Sequence, residues 1–210
     1  MTKVFNKRLK QSSKRWMQRQ LNDPYVEKAK REGYRSRAAY KILEIQRKFK
    51  IFDKNSVVLD LGAAPGGWSQ VAGQMAKRVI AVDLLEMPPL SNVEFIKGDF
   101  TDDLVIQKIN QHLQNQKVDV ILSDMAPNTC GIKQVDHLRI IGLLETVYDF
   151  SKLSLKLGGT LVVKVFQGGA FGKLLTNIKK HFTIVNHFKP LSSRKESCEL
   201  YLIAKDYHPQ

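Results

Sequence analysis

The sequence predicts an α/β fold with a mostly parallel central sheet, helices on both of its faces and an antiparallel strand pair at one edge. Three observations carry this prediction. Short apolar runs recur along the chain and are continuous rather than alternating, the pattern of strands buried on both sides. Stretches of helical period separate most of them, which is the rhythm of βαβ units. The last two runs follow each other with no helical pattern between them, so they read as an antiparallel pair at an edge.

In chain order, residues 1–34 stand apart from the rest. Lys3, Lys7, Arg8, Lys10, Lys14, Arg15 and Arg19 are interleaved with Phe5 and Trp16. This segment reads as a basic arm, partly helical, in front of one α/β domain over residues 35–210. A second basic stretch, Arg35-Ser-Arg37, opens that domain. Residues 38–50 then place Ala39, Ile42, Leu43 and Phe49 on one helical face. Val57-Val58-Leu59 begins the first strand. Further runs lie at 79–82, 93–96, 118–122 and 161–165, and the final pair at 183–188 and 199–204. Helical patterns fill 102–114, 136–157 and 170–181. No internal repeat or low-complexity tract interrupts the series.

The chain of 210 residues fits one domain with a short extension. Its formal net charge of +14 is the first functional clue, because so large an excess of Lys and Arg repels itself in the compact state and fits a polyanionic partner. No apolar run approaches the roughly 18 residues of a membrane span, and no apolar stretch follows the basic start as in a secretory signal. Cys130 and Cys198 are the only cysteines. They form no disulfide framework and no zinc-ligand spacing, and read as free thiols of a reducing compartment, the cytoplasm.

The first strand runs into Asp60-Leu-Gly62-Ala-Ala-Pro65-Gly66-Gly67-Trp68. Glycines let the backbone turn sharply and approach a ligand closely, and the helix that follows offers free N–H groups. The spacing departs from the dinucleotide fingerprint G-x-G-x-x-G. Asp83 closes the second strand about 20 residues later, where a carboxylate is placed for ribose hydroxyls. The third strand ends at Gly98-Asp99, a carboxylate suited to an adenine amino group, and the fourth at Ser123-Asp124-Met-Ala-Pro127. Four successive strands thus bring Asp60, Asp83, Asp99 and Asp124 to one edge of the sheet, the edge where open α/β sheets bind ligands. Lys164 is the most informative single residue. It interrupts Leu161-Val-Val-Lys-Val-Phe166, otherwise a buried strand, and a buried lysine is costly unless it is paired or its head reaches solvent.

Leu61-Gly-Ala-Ala-Pro-Gly-Gly-Trp-Ser69, Ser123-Asp-Met-Ala-Pro-Asn128 and Val162-Val-Lys-Val-Phe166 closely resemble the FtsJ/RrmJ (RlmE) family of ribosomal RNA ribose 2′-O-methyltransferases. The resemblance extends from about Ser13 to Ala204. It implies a Rossmann-like methyltransferase fold and S-adenosylmethionine as cofactor, with S-adenosylhomocysteine as product. Gly66 and Trp68 would sit in the cofactor loop, with Asp83, Asp99 and Asp124 around the cofactor. It also implies a catalytic Lys-Asp-Lys-Glu tetrad, which falls on Lys41, Asp124, Lys164 and Glu199. On residue pattern alone Lys41 reads as a solvated helical lysine and Glu199 as an edge-strand charge, so those two assignments rest on the resemblance. No metal is implied, since a sulfonium is already an activated methyl donor. The glycine-rich Gly168–Gly172 loop reads either as a plain turn or as an RNA contact.

The implied substrate is RNA: a uridine of the A-loop of 23S rRNA in the large ribosomal subunit. No membrane and no obligate protein partner are implied. Related enzymes act on tRNA anticodon loops or mRNA caps, and these remain alternatives. So does a non-catalytic RNA-binding assembly factor, which the intact tetrad opposes, and a small-molecule methyltransferase, which the net charge opposes.

Overall fold

The structure is a computed structural model that describes residues 14, 17–18, 20–127, 130–167 and 172–209. Seven strands form one sheet: β1 (Val57–Leu61), β2 (Arg78–Asp83), β3 (Val93–Lys97), β4 (Val118–Ser123), β5 (Leu155–Phe166), β6 (Phe182–Phe188) and β7 (Glu199–Tyr207). Their spatial order is β3-β2-β1-β4-β5-β7-β6. The pairs among β1 to β5 are parallel, whereas β7 runs antiparallel to both of its neighbours, β5 and β6. The expected antiparallel pair is therefore present at the edge, and β7 is the inner member of it. Helices flank the sheet, among them α1 (Pro24–Glu32), α2 (Ala38–Phe49), α3 (Gly67–Met75), α4 (Asp103–His112), α5 (Lys133–Ser154) and α6 (Gly172–His181). Helix α5 is shifted towards the N-terminus from the 136–157 span that its pattern predicts. Its backbone turns extended at Leu155, which already belongs to β5.

Strand residues alternate between two cores, which explains the continuous apolar runs. Val58, Val79, Val120, Leu122, Val162, Tyr201 and Ile203 face one layer, with Ile42 and Ile45 of α2 and Trp68 and Val71 of α3. Leu59, Ile80, Ile121, Leu161, Val163 and Leu202 face the other, with Val105 and Ile109 of α4, Leu144 and Val147 of α5 and Leu174 and Ile178 of α6. A buried side chain of this size contributes about 1.5–3 kcal/mol, so both layers are needed to hold the sheet. Among the described residues, no helix is long and apolar enough to cross a membrane.

Helix α1 starts from Asp23, whose carboxylate caps the Tyr25 N–H at 3.1 Å. The same carboxylate meets Arg37 Nη1 at 2.5 Å and Arg194 Nη2 at 3.0 Å. Residues 23–32 are thereby tied to the start of α2 and to the β6–β7 connection. Of the basic residues in the predicted arm, Lys14 and, on α1, Lys28, Lys30 and Arg31 are described, and Lys3, Lys7, Arg8, Lys10, Arg15 and Arg19 lie outside the described residues.

Candidate active site

The carboxyl ends of β1 to β4 open into a cleft of about 840 Å³ that includes Gly62, Asp83, Asp99, Asp124 and Met125 among its lining residues. The volume lies within the usual range for a cofactor site. The cleft straddles β1 and β4, where the sheet order reverses direction, the switch point of a doubly wound sheet. Gly62 has φ +74°, and a side chain there would collide with Met125, so the absence of a Cβ keeps the cleft floor open. Asp83 spans the loops on either side of it. Its Oδ2 accepts the Ala64 N–H and its Oδ1 the Leu85 N–H, both at 2.8 Å. Each oxygen retains a lone pair for a hydroxyl. Asp99 is exposed at the cleft, and its Oδ1 accepts from the Thr101 N–H and hydroxyl at 2.9 and 2.7 Å.

Beside this cleft the two lysines and two carboxylates of the predicted tetrad converge. Lys164 Nζ lies 2.6 Å from Asp124 Oδ1 and donates to the Asp124 carbonyl at 2.7 Å. Lys41 Nζ lies 3.0 Å from Glu199 Oε1 and 3.7 Å from Asp124 Oδ2. The two-layer alternation explains the meeting. Lys164 follows Val162 by two residues and so faces the α2 layer, and Lys41 projects from α2 itself. Both lysines are 8 % exposed, which is tolerable only because each is paired. Lys41 is therefore not the solvated helical lysine that its pattern predicts.

Sequence reasoning missed Tyr201. Its hydroxyl accepts from Lys41 Nζ at 2.9 Å and donates to Asp124 Oδ1 at 2.6 Å. The one signal in the sequence is its place two residues from Glu199, on the same strand face; that it stands opposite Lys164 follows only from the β5–β7 register. Burial drives the Tyr201 hydroxyl well above its usual pKa, helped by the Asp124 and Glu199 charges, so it remains a donor at neutral pH. Asp124 is pushed up by burial, but Lys164 and Lys41 outweigh this with help from the hydrogen bonds, and its carboxyl lies below the usual range.

Two predicted cofactor residues sit differently. The Trp68 indole is buried against Tyr201 with ring centroids 5.4 Å apart, and its Nε1 donates to the Ala38 carbonyl at 3.0 Å. Its side chain packs α3 onto α2 and lies away from the cleft, leaving its backbone as the part available to a cofactor. Gly66 has φ +100°, and a Cβ there would lie 2.7 Å from Met87 Sδ and 3.0 Å from Arg35 Nη1; it shapes the loop from behind. Asp60, one of the four strand-end carboxylates, is buried under α3. Its Oδ2 accepts from the Ser69 hydroxyl at 2.5 Å. Burial lifts its pKa to about 7, against the Ser69 hydrogen bond and with the Asp124 and Asp83 charges adding to the rise. Of the Gly168–Gly172 loop, residues 168–171 lie outside the described residues, as do 128–129.

A second hollow, of about 300 Å³, approaches the tetrad at Lys41 and Glu199 and includes Arg37, Arg194 and Ser197 in its lining. Asp124 lines the cleft and Lys41 and Glu199 line the hollow, so the tetrad joins the two spaces. A third hollow of about 710 Å³, around Lys50, Asp53 and Lys205 at the opposite edge of the sheet, contains none of the predicted residues. Among the described residues, no group of three or more His, Cys, Asp or Glu side chains is arranged to hold a metal ion.

The family model of the FtsJ-like methyltransferases matches residues 34–207. A protein of Rickettsia felis named ribosomal RNA large subunit methyltransferase E is 49 % identical over 205 residues, covering 92 % of this chain and 88 % of its own. A protein of the same name from Acidiphilium cryptum is 50 % identical over 201 residues, covering 95 % of this chain and 89 % of its own. Among solved structures, a ribosomal RNA methyltransferase of Plasmodium falciparum superposes with a TM-score of 0.76 at 34 % identity, covering 84 % of this chain and 100 % of that one. With the cleft, the tetrad and the sheet order in agreement, the chain belongs to the FtsJ-like methyltransferase family.

Proposed function

We propose that this methyltransferase transfers the methyl group of S-adenosylmethionine to a ribose 2′-hydroxyl of RNA, a uridine in the A-loop of 23S rRNA in the large ribosomal subunit, in the cytoplasm. The observation that carries the reading is the position of the tetrad between a carboxylate-lined cleft and a hollow lined by Arg37 and Arg194. The relatives' names support ribosomal RNA as substrate, and the net charge of +14 supports a polyanion.

The cleft residues fit the donor. Asp83 has lone pairs that would take the ribose hydroxyls, Asp99 at the cleft offers a carboxylate that would take the adenine amino group, and the carboxylates together suit a cationic sulfonium. Held there by Asp83 and Asp99, the donor would supply an electrophilic methyl carbon for the ribose oxygen and a sulfonium able to leave as a neutral thioether. The chain's own work is to position the hydroxyl and remove its proton. Lys164 is the group that steers that proton while it is an ammonium, and takes it once its amine has given up its own proton to solvent and is neutral. Asp124 fixes the Lys164 head through two contacts from one residue, its carboxylate and its carbonyl. Lys41, held by Glu199 and Tyr201, adds positive charge next to the oxygen as negative charge builds on it. In-line alignment of oxygen, carbon and sulfur supplies much of the remaining acceleration.

The test is incubation with labelled S-adenosylmethionine and, in separate arms, large ribosomal subunits, naked 23S rRNA and tRNA, followed by nuclease mapping. Label in a 2′-O-methyluridine of the A-loop is the expected result. Label confined to tRNA, or to a base, would refute the substrate or the acceptor atom respectively.

A further inference from the structure

Arg35 belongs to the basic stretch in front of α2, where a surface phosphate contact is the ordinary expectation for an arginine. Its described partners are of another kind. The guanidinium Nη1 donates to the Pro88 carbonyl at 2.7 Å and, at a longer 3.4 Å, to the Pro65 carbonyl, while Nη2 donates to the Pro89 carbonyl at 2.6 Å. Pro65 belongs to the glycine loop after β1. Pro88 and Pro89 belong to the loop after Asp83, and their fixed φ angles make that segment a stiff handle.

These two loops are the ones that Asp83 ties together through the N–H groups of Ala64 and Leu85. The pair of loops is therefore spanned twice, by a carboxylate on the cleft side and by a guanidinium behind. Other bonds hold the Arg35 segment itself in place. The Gln70 side chain of α3 accepts the Arg35 N–H at 2.9 Å and donates to the Gly33 carbonyl at 2.8 Å. The loop glycines match this close approach, since a Cβ on Gly66 would press on Arg35 and a Cβ on Gly67 would collide with Ser36.

We propose that Arg35 is a positioning residue for the methyl donor: it fixes the spacing of the glycine loop and the 84–90 loop, and so links the basic segment 33–37 to the donor cleft. This rests on the reading of the cleft as the donor site. A planar fork is what the geometry demands, because one group must reach carbonyls on two loops.

The test measures donor affinity by calorimetry, and KM for donor and for RNA in the methyl-transfer assay, in Arg35→Ala, Arg35→Lys and the control Asp83→Ala. Arg35→Ala is expected to raise the donor Kd and KM on the order of tenfold, the scale of one charge-assisted hydrogen bond, with kcat and RNA affinity within about twofold of wild type. Arg35→Lys keeps the charge and loses the fork, so its donor affinity should stay close to that of Arg35→Ala; should the Ala variant fail to fold, the Lys variant carries the test. A loss confined to RNA affinity, restored by Lys, makes Arg35 a phosphate contact and overturns the proposal. Unchanged donor affinity in both Arg35 variants with a clear loss in Asp83→Ala overturns the clamp and retains the cleft. Unchanged affinity in all three overturns the cleft reading and the clamp with it.

Discussion

Asp60 and Asp124 stand at the ends of neighbouring parallel strands, the first buried and the second half-buried at the cleft, and their environments drive them in opposite directions. Asp60 meets a serine hydroxyl and other carboxylates, and its pKa rises to about 7. Asp124 meets two lysines and a tyrosine, and its pKa falls below 3.8. The backbone setting is nearly the same, and the difference is supplied by side chains from elsewhere in the chain: Lys41 from α2, Lys164 from β5 and Tyr201 from β7. Local sequence fixes where a carboxylate sits, and distant partners fix its charge.

Removing the cation beside Asp124 should have the largest effect. Lys164→Ala is expected to lower methyl transfer by about 10²–10⁴-fold, the usual cost of a lost proton-transfer group, while donor affinity measured by calorimetry stays near wild type. Lys164→Arg should not restore the rate, since a guanidinium cannot accept the proton. Near-wild-type turnover in the Arg variant would show that only the positive charge matters.

The other half of the comparison is a matter of stability. A carboxyl raised in the folded state holds its proton there after the unfolded chain has released it, so Asp60 costs progressively more stability as pH rises from about 4 to about 7. The lift from 3.8 to about 7 corresponds to on the order of 4 kcal/mol. Asp124 has the opposite sign: its contribution is present above 3.8 and is lost as pH falls. Denaturant unfolding of wild type and Asp60→Asn between pH 4 and pH 8 separates the two. The variant should lose most of the decline between pH 4 and 7, and an unaltered profile would show that Asp60 is not the group responsible.

A smaller effect is expected from Tyr201→Phe, which deletes the hydroxyl between Lys41 and Asp124 without removing the ring that packs on Trp68. Hydrogen bonds to charged partners contribute about 1.5–3 kcal/mol, so the rate should fall by roughly 10- to 100-fold. The melting temperature checks that folding is intact, and an unchanged rate would reduce Tyr201 to packing.

Deleting residues 1–19 should leave both carboxylates alone. Donor affinity and the pH dependence of stability are expected to match wild type. RNA binding should weaken, with a shallower dependence on salt, because each lost phosphate contact removes about 0.9 from the logarithmic slope for a duplex and about 0.7 for a single strand. A truncated protein with the wild-type slope would show that the arm is not part of the RNA footprint.

The parts legible in the sequence are those in which one segment decides the outcome. Continuous runs such as 118–122 and 161–165 announced strands buried on both faces, and Asp83, Asp99 and Asp124 could be placed at the cleft from their own neighbours, whereas Asp60 lies buried under α3. Lys164 stood out because its strand is otherwise apolar. Lys41 did not, because an amphipathic helix tolerates a lysine at almost any position and only the packing of α2 on β5 and β7 buries this one. Glu199 had the same difficulty at the start of a strand. The resemblance places Trp68 in the cofactor loop but says nothing of its side chain, which the first turn of α3 points into the core against Tyr201. Nor did any local pattern reveal that β7 lies between β5 and β6, which is what sets Tyr201 opposite Lys164.

That insertion has a consequence for how the site can open. Lys164 and Tyr201 face each other across a ladder on which β6 also depends, since β6 reaches the sheet only through β7. A catalytic lysine on a surface loop can be exposed by local fraying, with little disturbance elsewhere. Here the same residue is paired through β7 to β6, so opening the ladder at Lys164 disturbs two strands rather than one. Amide protons in the centre of β5 and β7 would accordingly exchange only by that larger opening, which leaves adjustment during a reaction cycle to the loops around the cleft and to the RNA.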